Sequence, residues 1–150
     1  MNDAKISLEE REAVFATLRR YLWCMDTGNI DGVPANFTDD ATIRDVTGKL
    51  WNREAGGVFG FATHFLSPSD RPTGQHWIQH MAVKDPGDGT LLVISYWAGM
   101  SWDNETDEKS VRLIGCYRDT MVKVDDKWLI RHKIIDPWNA ATIQEVGPLA

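Results

Sequence analysis

Four long strand-like stretches fill the second half of the chain and constrain its fold more than any other feature. They cover residues 75–84, 90–102, 110–124 and 128–136, and short turn-forming segments separate them. The first three stretches contain at least ten residues and exceed the usual strand length, so the sheet that they form has to bend. Consecutive strands joined by short turns pair with opposite directions, and the pattern therefore predicts a curved antiparallel meander.

The first half of the chain carries the helical patterns. Ser7 and Glu10 form a capping-box pattern, and apolar residues at helical spacing follow as far as Met25, which predicts a helix ending near residues 26–28. The pattern also predicts a short helix over residues 30–37, a strand over 41–45 and a third helix over 53–66. Helices followed by an antiparallel sheet indicate an α+β domain. Because a bent sheet closed by helices encloses a cavity, we expect a cone-shaped domain around one apolar pocket.

The size and charge of the chain limit its organisation and its partners. A length of 150 residues predicts a single domain over residues 1–150, and a hydrophobic content of 43% suffices for a core and a lined cavity. The formal net charge of −6, without a run of basic residues, argues against a nucleic-acid partner. The start of the chain lacks a signal-peptide pattern and no apolar run reaches membrane-spanning length, so we expect a cytoplasmic protein without a membrane partner.

Asp26 is a candidate catalytic residue at the predicted end of the first helix. It lies four residues after Leu22 and projects about 40° from it around the helix axis, close to the buried stripe. A carboxylate at a helix C-terminus is disfavoured by the helix dipole, so this position suggests a cationic partner. The alternative is that Asp26 only helps to end the helix beside Gly28.

His76 is the second candidate catalytic residue, at the start of a predicted strand. Alternation along that strand places His76, Ile78 and His80 on one face. Four residues separate the two imidazoles by about 13 Å, which is too far for one metal ion. We predict no metal and no organic cofactor, because the sequence also lacks a Walker loop, a Rossmann glycine fingerprint and a zinc-type cysteine pair. His76 is either a hydrogen-bonded structural residue or, with a carboxylate partner, a general base.

Aromatic residues are abundant and predict the character of the pocket. The 7 tryptophans favour aromatic walls and a small hydrophobic or aromatic ligand. The candidate substrate-binding residues are Trp23, Tyr96, Trp97, Tyr117 and Trp138. The hydroxyl of Tyr117 could donate a hydrogen bond to a substrate oxygen, and a purely structural role in the core is the alternative.

Three further polar residues lie on predicted strands. They are Arg112, Arg131 and Asp136, and we expect them in surface ion pairs rather than in the site.

Three segments carry a resemblance to a known family. They are residues 21–33 (YLWCMDTGNIDGV), residues 37–41 (FTDDA) and residues 117–128 (YRDTMVKVDDKW). With them the chain resembles the SnoaL-like branch of the nuclear transport factor 2-like superfamily, over about residues 8–138. The resemblance implies a cystatin-like α+β barrel. It also implies roles for Asp26 and His76, because scytalone dehydratase and hexachlorocyclohexane dehydrochlorinase carry a catalytic aspartate–histidine dyad at these two places.

The resemblance implies a cofactor-independent lyase that acts by dehydratase-like elimination on a small, hydrophobic, ring-containing substrate. His76 would be the general base and Asp26 would orient it. An isomerase or a polyketide-type cyclase using the same base remains open, as does a noncatalytic binding domain, which predicts that Asp26 and His76 are too far apart to hydrogen-bond. Relatives often self-associate through the outer face of the sheet, so we expect a homodimer or a homotrimer.

Overall fold

The computed structural model of the chain describes residues 6–66 and 73–147. In these residues, the helices are α1 (Leu8–Thr27), α2 (Gly57–Leu66) and α3 (Ala140–Val146). The strands are β1 (Phe37–Arg44), β2 (Leu50–Trp51), β3 (Thr73–Lys84), β4 (Thr90–Trp102), β5 (Lys109–Val124) and β6 (Lys127–Pro137). Short 3-10 turns occupy Ile30–Gly32, Pro34–Asn36 and Arg53–Ala55. None of the helices in the described ranges is long and apolar enough to cross a membrane.

The strands form one curved sheet in the order β2-β1-β6-β5-β4-β3. Strands β3 to β6 pair as the predicted antiparallel meander, and the predicted α+β class is confirmed. The sheet differs from the prediction at one place, because β1 runs parallel to β6. This pairing joins the first strand to the last, and α1 and α2 pack against the same sheet.

Local signals set the ends of α1 where the sequence predicts them. The Ser7 hydroxyl accepts a hydrogen bond from the Glu10 amide at 3.1 Å, which caps the first turn. Gly28 ends the helix in the left-handed conformation, with φ of 70°, and its amide donates to the carbonyls of Cys24 and Met25. Asp26 consequently lies in the last turn of α1.

The other helices differ from their predictions for identifiable reasons. Two 3-10 turns replace the short helix predicted over residues 30–37, and the second of them begins at Pro34, which has no amide hydrogen to donate. The third predicted helix begins only at Gly57, because Gly56, with φ of 93°, separates it from the preceding 3-10 turn. Helix α3 is absent from the predictions, although Asn139 caps it by accepting a hydrogen bond from the Thr142 amide at 3.0 Å.

A bulge in β3 corrects one predicted face. His80 has φ of 52°, and the pairing of β3 with β4 shifts between Gln79 and Ala82. A shift of one residue moves the following side chains to the opposite face of a sheet. His76 therefore faces the helices, whereas the His80 ring lies on the outer face, 5.2 Å from that of Tyr96. The prediction that His76 and His80 share a face is wrong.

Candidate active site

A cavity of about 870 Å³ lies between the helices and the inner face of the sheet. Residues from α1, α2 and strands β3 to β6 line it, so every layer of the domain contributes. The lining includes Tyr21, Met25, Asp26, Asp45, Phe61, His64, Phe65, His76, Trp97, Met100, Arg112, Leu113, Tyr117 and Ile135. Most of these side chains are apolar or aromatic, as is usual for a small-molecule site.

Asp26 and His76 meet in the wall of this cavity. The carboxylate Oδ1 of Asp26 lies 2.6 Å from Nδ1 of His76. Both carboxylate oxygens also accept from the backbone amide of His76, each at 3.0 Å. The last turn of α1 and the start of β3 thus hold the pair by three contacts. Because a carboxylate only accepts, this geometry assigns the imidazole proton to Nδ1 and leaves the lone pair on Nε2.

Two stacked aromatic rings adjoin His76 on the sheet. The Trp97 ring lies 6.4 Å from the His76 ring and stacks on Tyr117 at 5.3 Å, with an angle of 11° between the planes. Gly115 makes room for this stack, because a side-chain carbon there would lie 2.5 Å from Nε1 of Trp97. Burial, followed by the nearby Tyr21 and Asp119, raises the pKa of Tyr117 well above its usual value. Tyr117 is therefore a neutral hydroxyl donor at physiological pH.

A buried ion pair lies next to Tyr117. Nζ of Lys133 contacts the two carboxylate oxygens of Asp119 at 3.0 and 3.2 Å, and both side chains are fully buried. The same ammonium lies 3.8 Å from the ring centre of Tyr117 and 4.7 Å from that of Tyr21. Burial raises the pKa of Asp119 and lowers the pKa of Lys133, while the pairing opposes both shifts. The sequence analysis missed this pair because a bulge opposite Thr120 and Met121 shifts the alternation of β6 before Lys133.

Asp45, the other carboxylate in the lining, is engaged by its own loop. It accepts from the Thr47 amide at 2.9 Å, the Thr47 hydroxyl at 2.6 Å, the Lys49 amide at 3.2 Å and the Trp51 indole at 2.7 Å. Desolvation raises the pKa of Asp45, but these hydrogen bonds outweigh it and lower the pKa below its usual value. Asp45 thus holds a loop at the cavity, and four hydrogen bonds from that loop engage its carboxylate.

The structure separates the predicted substrate-binding residues into two groups. Trp97 and Tyr117 line the cavity. Trp23, contrary to the prediction, is 72% exposed and lies outside it, because one helical step of about 100° turns it away from the buried Leu22. Tyr96 and Trp138 are also outside, since Tyr96 alternates with Trp97 and its ring packs 4.9 Å from Trp138 on the outer face of the sheet.

His64 and Arg112 also line the cavity, although the sequence analysis did not place them there. His64 lies on α2, with its ring 5.3 Å from Trp51 and 4.9 Å from Phe65. Its helical spacing from Phe61 was the signal that could have placed it in the lining. Arg112, expected in a surface ion pair, lines the cavity instead.

Comparisons with known proteins agree with this architecture. The family model described as a SnoaL-like domain matches residues 7–134. The chain is similar to the structure of Aln2 from a Streptomyces species, with 24% identity, a TM-score of 0.77, and 87% of this chain and 92% of that one covered. No curated protein sequence matches the chain.

Two structures from Novosphingobium aromaticivorans are also similar. The name of one proposes that it is a scytalone dehydratase, and it shares 16% identity and a TM-score of 0.73 over 88% of this chain and 86% of that one. The other is described as an NTF2-like protein with a cystatin-like fold, with 15% identity and a TM-score of 0.76 over 94% of this chain and 91% of that one. At these identities the similarity shows a shared fold.

Proposed function

The chain belongs to the SnoaL-like domain family, and from this premise we propose that it is a cofactor-independent lyase of the dehydratase type. Its substrate is a small, hydrophobic, ring-containing molecule that occupies the cavity. The observation that carries the proposal is the 2.6 Å contact between Asp26 and His76 in the cavity wall. This contact supports catalysis, because a carboxylate that fixes the tautomer of the imidazole leaves Nε2 as a base in the cavity wall.

His76 acts as the general base in this proposal. Its Nε2 takes a proton from a ring carbon, the electrons of the broken C–H bond form a new double bond, and the hydroxyl on the adjacent carbon departs. Asp26 keeps the Nδ1 proton in place and stabilises the imidazolium that forms. The imidazolium gives its proton to the departing hydroxide, and Tyr117 or an ordered water donates a hydrogen bond to the same oxygen. The net products are one water and an unsaturated ring.

The surroundings of the dyad suit this reaction. Positioned proton transfer contributes about 10²- to 10⁴-fold to a rate, so orientation and the exclusion of water have to supply the remainder. The stacked Trp97 and Tyr117 give the substrate ring a fixed aromatic wall. Leaving-group assistance falls to Tyr117 rather than Tyr96, because Tyr96 lies on the outer face of the sheet.

Proton removal and water loss can be measured separately with one probe. We choose scytalone, the hydroxylated bicyclic ketone that appears in the name of one structural relative. In deuterium oxide, proton NMR follows exchange at the ring carbon, and mass spectrometry follows loss of one water. We expect His76→Ala to lower both rates by at least about 10²-fold and to keep the far-ultraviolet circular dichroism of the wild type. Asp26→Asn should lower them similarly, because an amide does not stabilise the imidazolium.

The matched control is His80→Ala, which removes an imidazole from the same strand on the opposite face. This variant should retain the exchange and elimination rates of the wild type. Retention of most activity in His76→Ala would remove the mechanism. A product of unchanged mass, formed only when His76 is present, would replace elimination by isomerisation.

A further inference from the structure

A bulge in β5 turns Arg112 towards the cavity. In the pairing of β4 with β5, Gly99 pairs with Leu113 and Met100 pairs with Val111, which leaves Arg112 as an extra residue without a partner strand residue. Regular alternation would place Arg112 and Leu113 on opposite faces. Both of them line the cavity, whereas Val111 does not and is 60% exposed. The bulge therefore brings a cation into a site that regular alternation would leave without one.

Arg112 has no carboxylate partner among the residues that the structure describes. It is the single arginine or lysine in the cavity lining there. The two carboxylates of the lining are engaged elsewhere, Asp26 by His76 and Asp45 by its own loop. The strand arginines outside the cavity behave differently, since each of them contacts a carboxylate: Arg44, Arg118 and Arg131.

The position of Arg112 relative to the dyad sets the length of a ligand that reaches both. His76 pairs with Gly99, and Gly99 pairs with Leu113, so the three residues lie side by side across the sheet. Two strand spacings, about 10 Å in all, separate the backbones of His76 and Leu113, and Arg112 adjoins Leu113. A ligand of two fused rings with its reacting carbon at His76 extends its far end to Arg112.

We propose that Arg112 binds a carboxylate at the far end of the substrate, so that the substrate class is a ring-containing carboxylic acid. A guanidinium offers a planar pair of N–H donors that fits a carboxylate, and it retains its charge at all physiological pH values. The apolar walls hold the ring system, and the charged group fixes which end of it faces His76. The identification of the acid as substrate rests on the proposed function, but its binding by Arg112 does not.

Binding of a matched pair of inert probes tests the proposal. The probes are 2-naphthoate and 2-naphthamide, which have the same ring system and differ in charge, and isothermal calorimetry measures each affinity. We expect the wild type to bind the acid about tenfold more tightly than the amide, because the carboxylate carries a charge opposite to that of the guanidinium and accepts two parallel hydrogen bonds from it. Arg112→Gln should lose this preference, mainly through weaker binding of the acid. Arg112→Lys should keep part of the preference, and Arg131→Gln, the matched control, should keep all of it.

Three outcomes would overturn the proposal: no measurable binding of 2-naphthoate to the wild type, equal affinity of the wild type for both probes, or an unchanged preference in Arg112→Gln. The acid-over-amide preference of the wild type is independent of whether any variant folds. Turnover of scytalone by His76→Ala and the acid-over-amide preference of the wild type are separate measurements, so this proposal and the lyase mechanism fail separately. If His76→Ala retains turnover, the mechanism fails and the binding role of Arg112 stands. If the wild type shows no preference for the acid but His76→Ala loses turnover, the lyase mechanism stands and the binding role of Arg112 fails.

Discussion

Tyr117 combines tight confinement with a hydroxyl that can still donate a hydrogen bond. Its ring is held between the Trp97 indole and the Lys133 ammonium, and only 2% of the residue is exposed. Burial keeps its pKa well above the usual value, so the hydroxyl can donate a hydrogen bond but does not ionise. Such a group stabilises negative charge that develops on a departing oxygen.

Tyr117→Phe separates the hydroxyl from the ring. The phenylalanine keeps the stack on Trp97 and the contact with Lys133, so the free energy of unfolding in urea should change by no more than about 1 kcal/mol. Turnover of scytalone should fall by about 10²-fold in kcat, with little change in KM, because the hydroxyl acts in the transition state. An unchanged kcat would assign leaving-group assistance to water alone.

The sequence allowed some of these residues to be predicted and not others. Asp26 and His76 could be proposed because a helix end and a strand start are strong local signals, and because the family resemblance marked both places. The predictions for Trp23 and Tyr96 were wrong, although both residues belong to predicted elements. The side chain of Trp23 changes face with one step of 100° around the helix, and that of Tyr96 with one step of alternation along the strand. The composition of the sequence does not show on which face either side chain lies.

Among the structural elements, helix caps could be predicted from the sequence, whereas β-bulges could not. Ser7 and Gly28 end α1 through contacts with residues a few positions away, so the sequence contains the whole signal. The bulges at His80 and Arg112 arise from pairing between strands, and the bulged residues themselves are neither glycine nor proline. One bulge removed His80 from the inner face and the other added Arg112 to it. The alternation rule failed at these two positions for this reason.

The loop between β1 and β2 gives a prediction on pH dependence. The hydrogen bonds to Asp45 lower its pKa in the folded state, so the stabilisation is present above the unfolded pKa of about 4 and is lost as the pH falls through the lower folded value. Asp45→Asn should lower the free energy of unfolding at pH 7 by about 1 to 3 kcal/mol. The difference from the wild type should shrink below pH 4, because protonated Asp45 is also uncharged. Urea titrations at pH 7, 4 and 3 measure this, and a constant difference would contradict it.

At the scale of the molecule, the two faces of the sheet have different neighbours. The inner face is covered by α1 and α2, and it holds both the core and the cavity. The meander and the helical layer followed from periodicity, whereas the parallel pairing of β1 with β6 did not, because the two strands lie far apart in the sequence. The Asp119–Lys133 pair lies within the covered layer and joins β5 to β6 below Tyr21.

The outer face of the meander exposes large apolar side chains, as is typical of a surface that another molecule covers. Antiparallel sheets with one face in water usually present polar residues there. Here Trp77, Tyr96 and Ile114 are 52%, 44% and 52% exposed, and with Trp138 they line a shallow pocket of about 380 Å³. Exposed apolar patches of this kind mark interaction surfaces. The predicted homodimer or homotrimer provides an occupant, namely the same face of a second copy.

If the predicted homodimer or homotrimer forms through this face, replacing both Trp77 and Ile114 by Glu should give a monomer, because like charges would then face each other across an interface related by symmetry. Size-exclusion chromatography with light scattering should give two or three times the mass of one chain for the wild type. The double variant should have the mass of one chain. Trp23→Glu is the control, since Trp23 is equally aromatic and even more exposed, at 72%, but lies on α1 rather than on the sheet. A wild type that stays monomeric at high concentration would show that there is no such interface. A Trp23→Glu variant that dissociates as completely as the double variant would place the interface elsewhere.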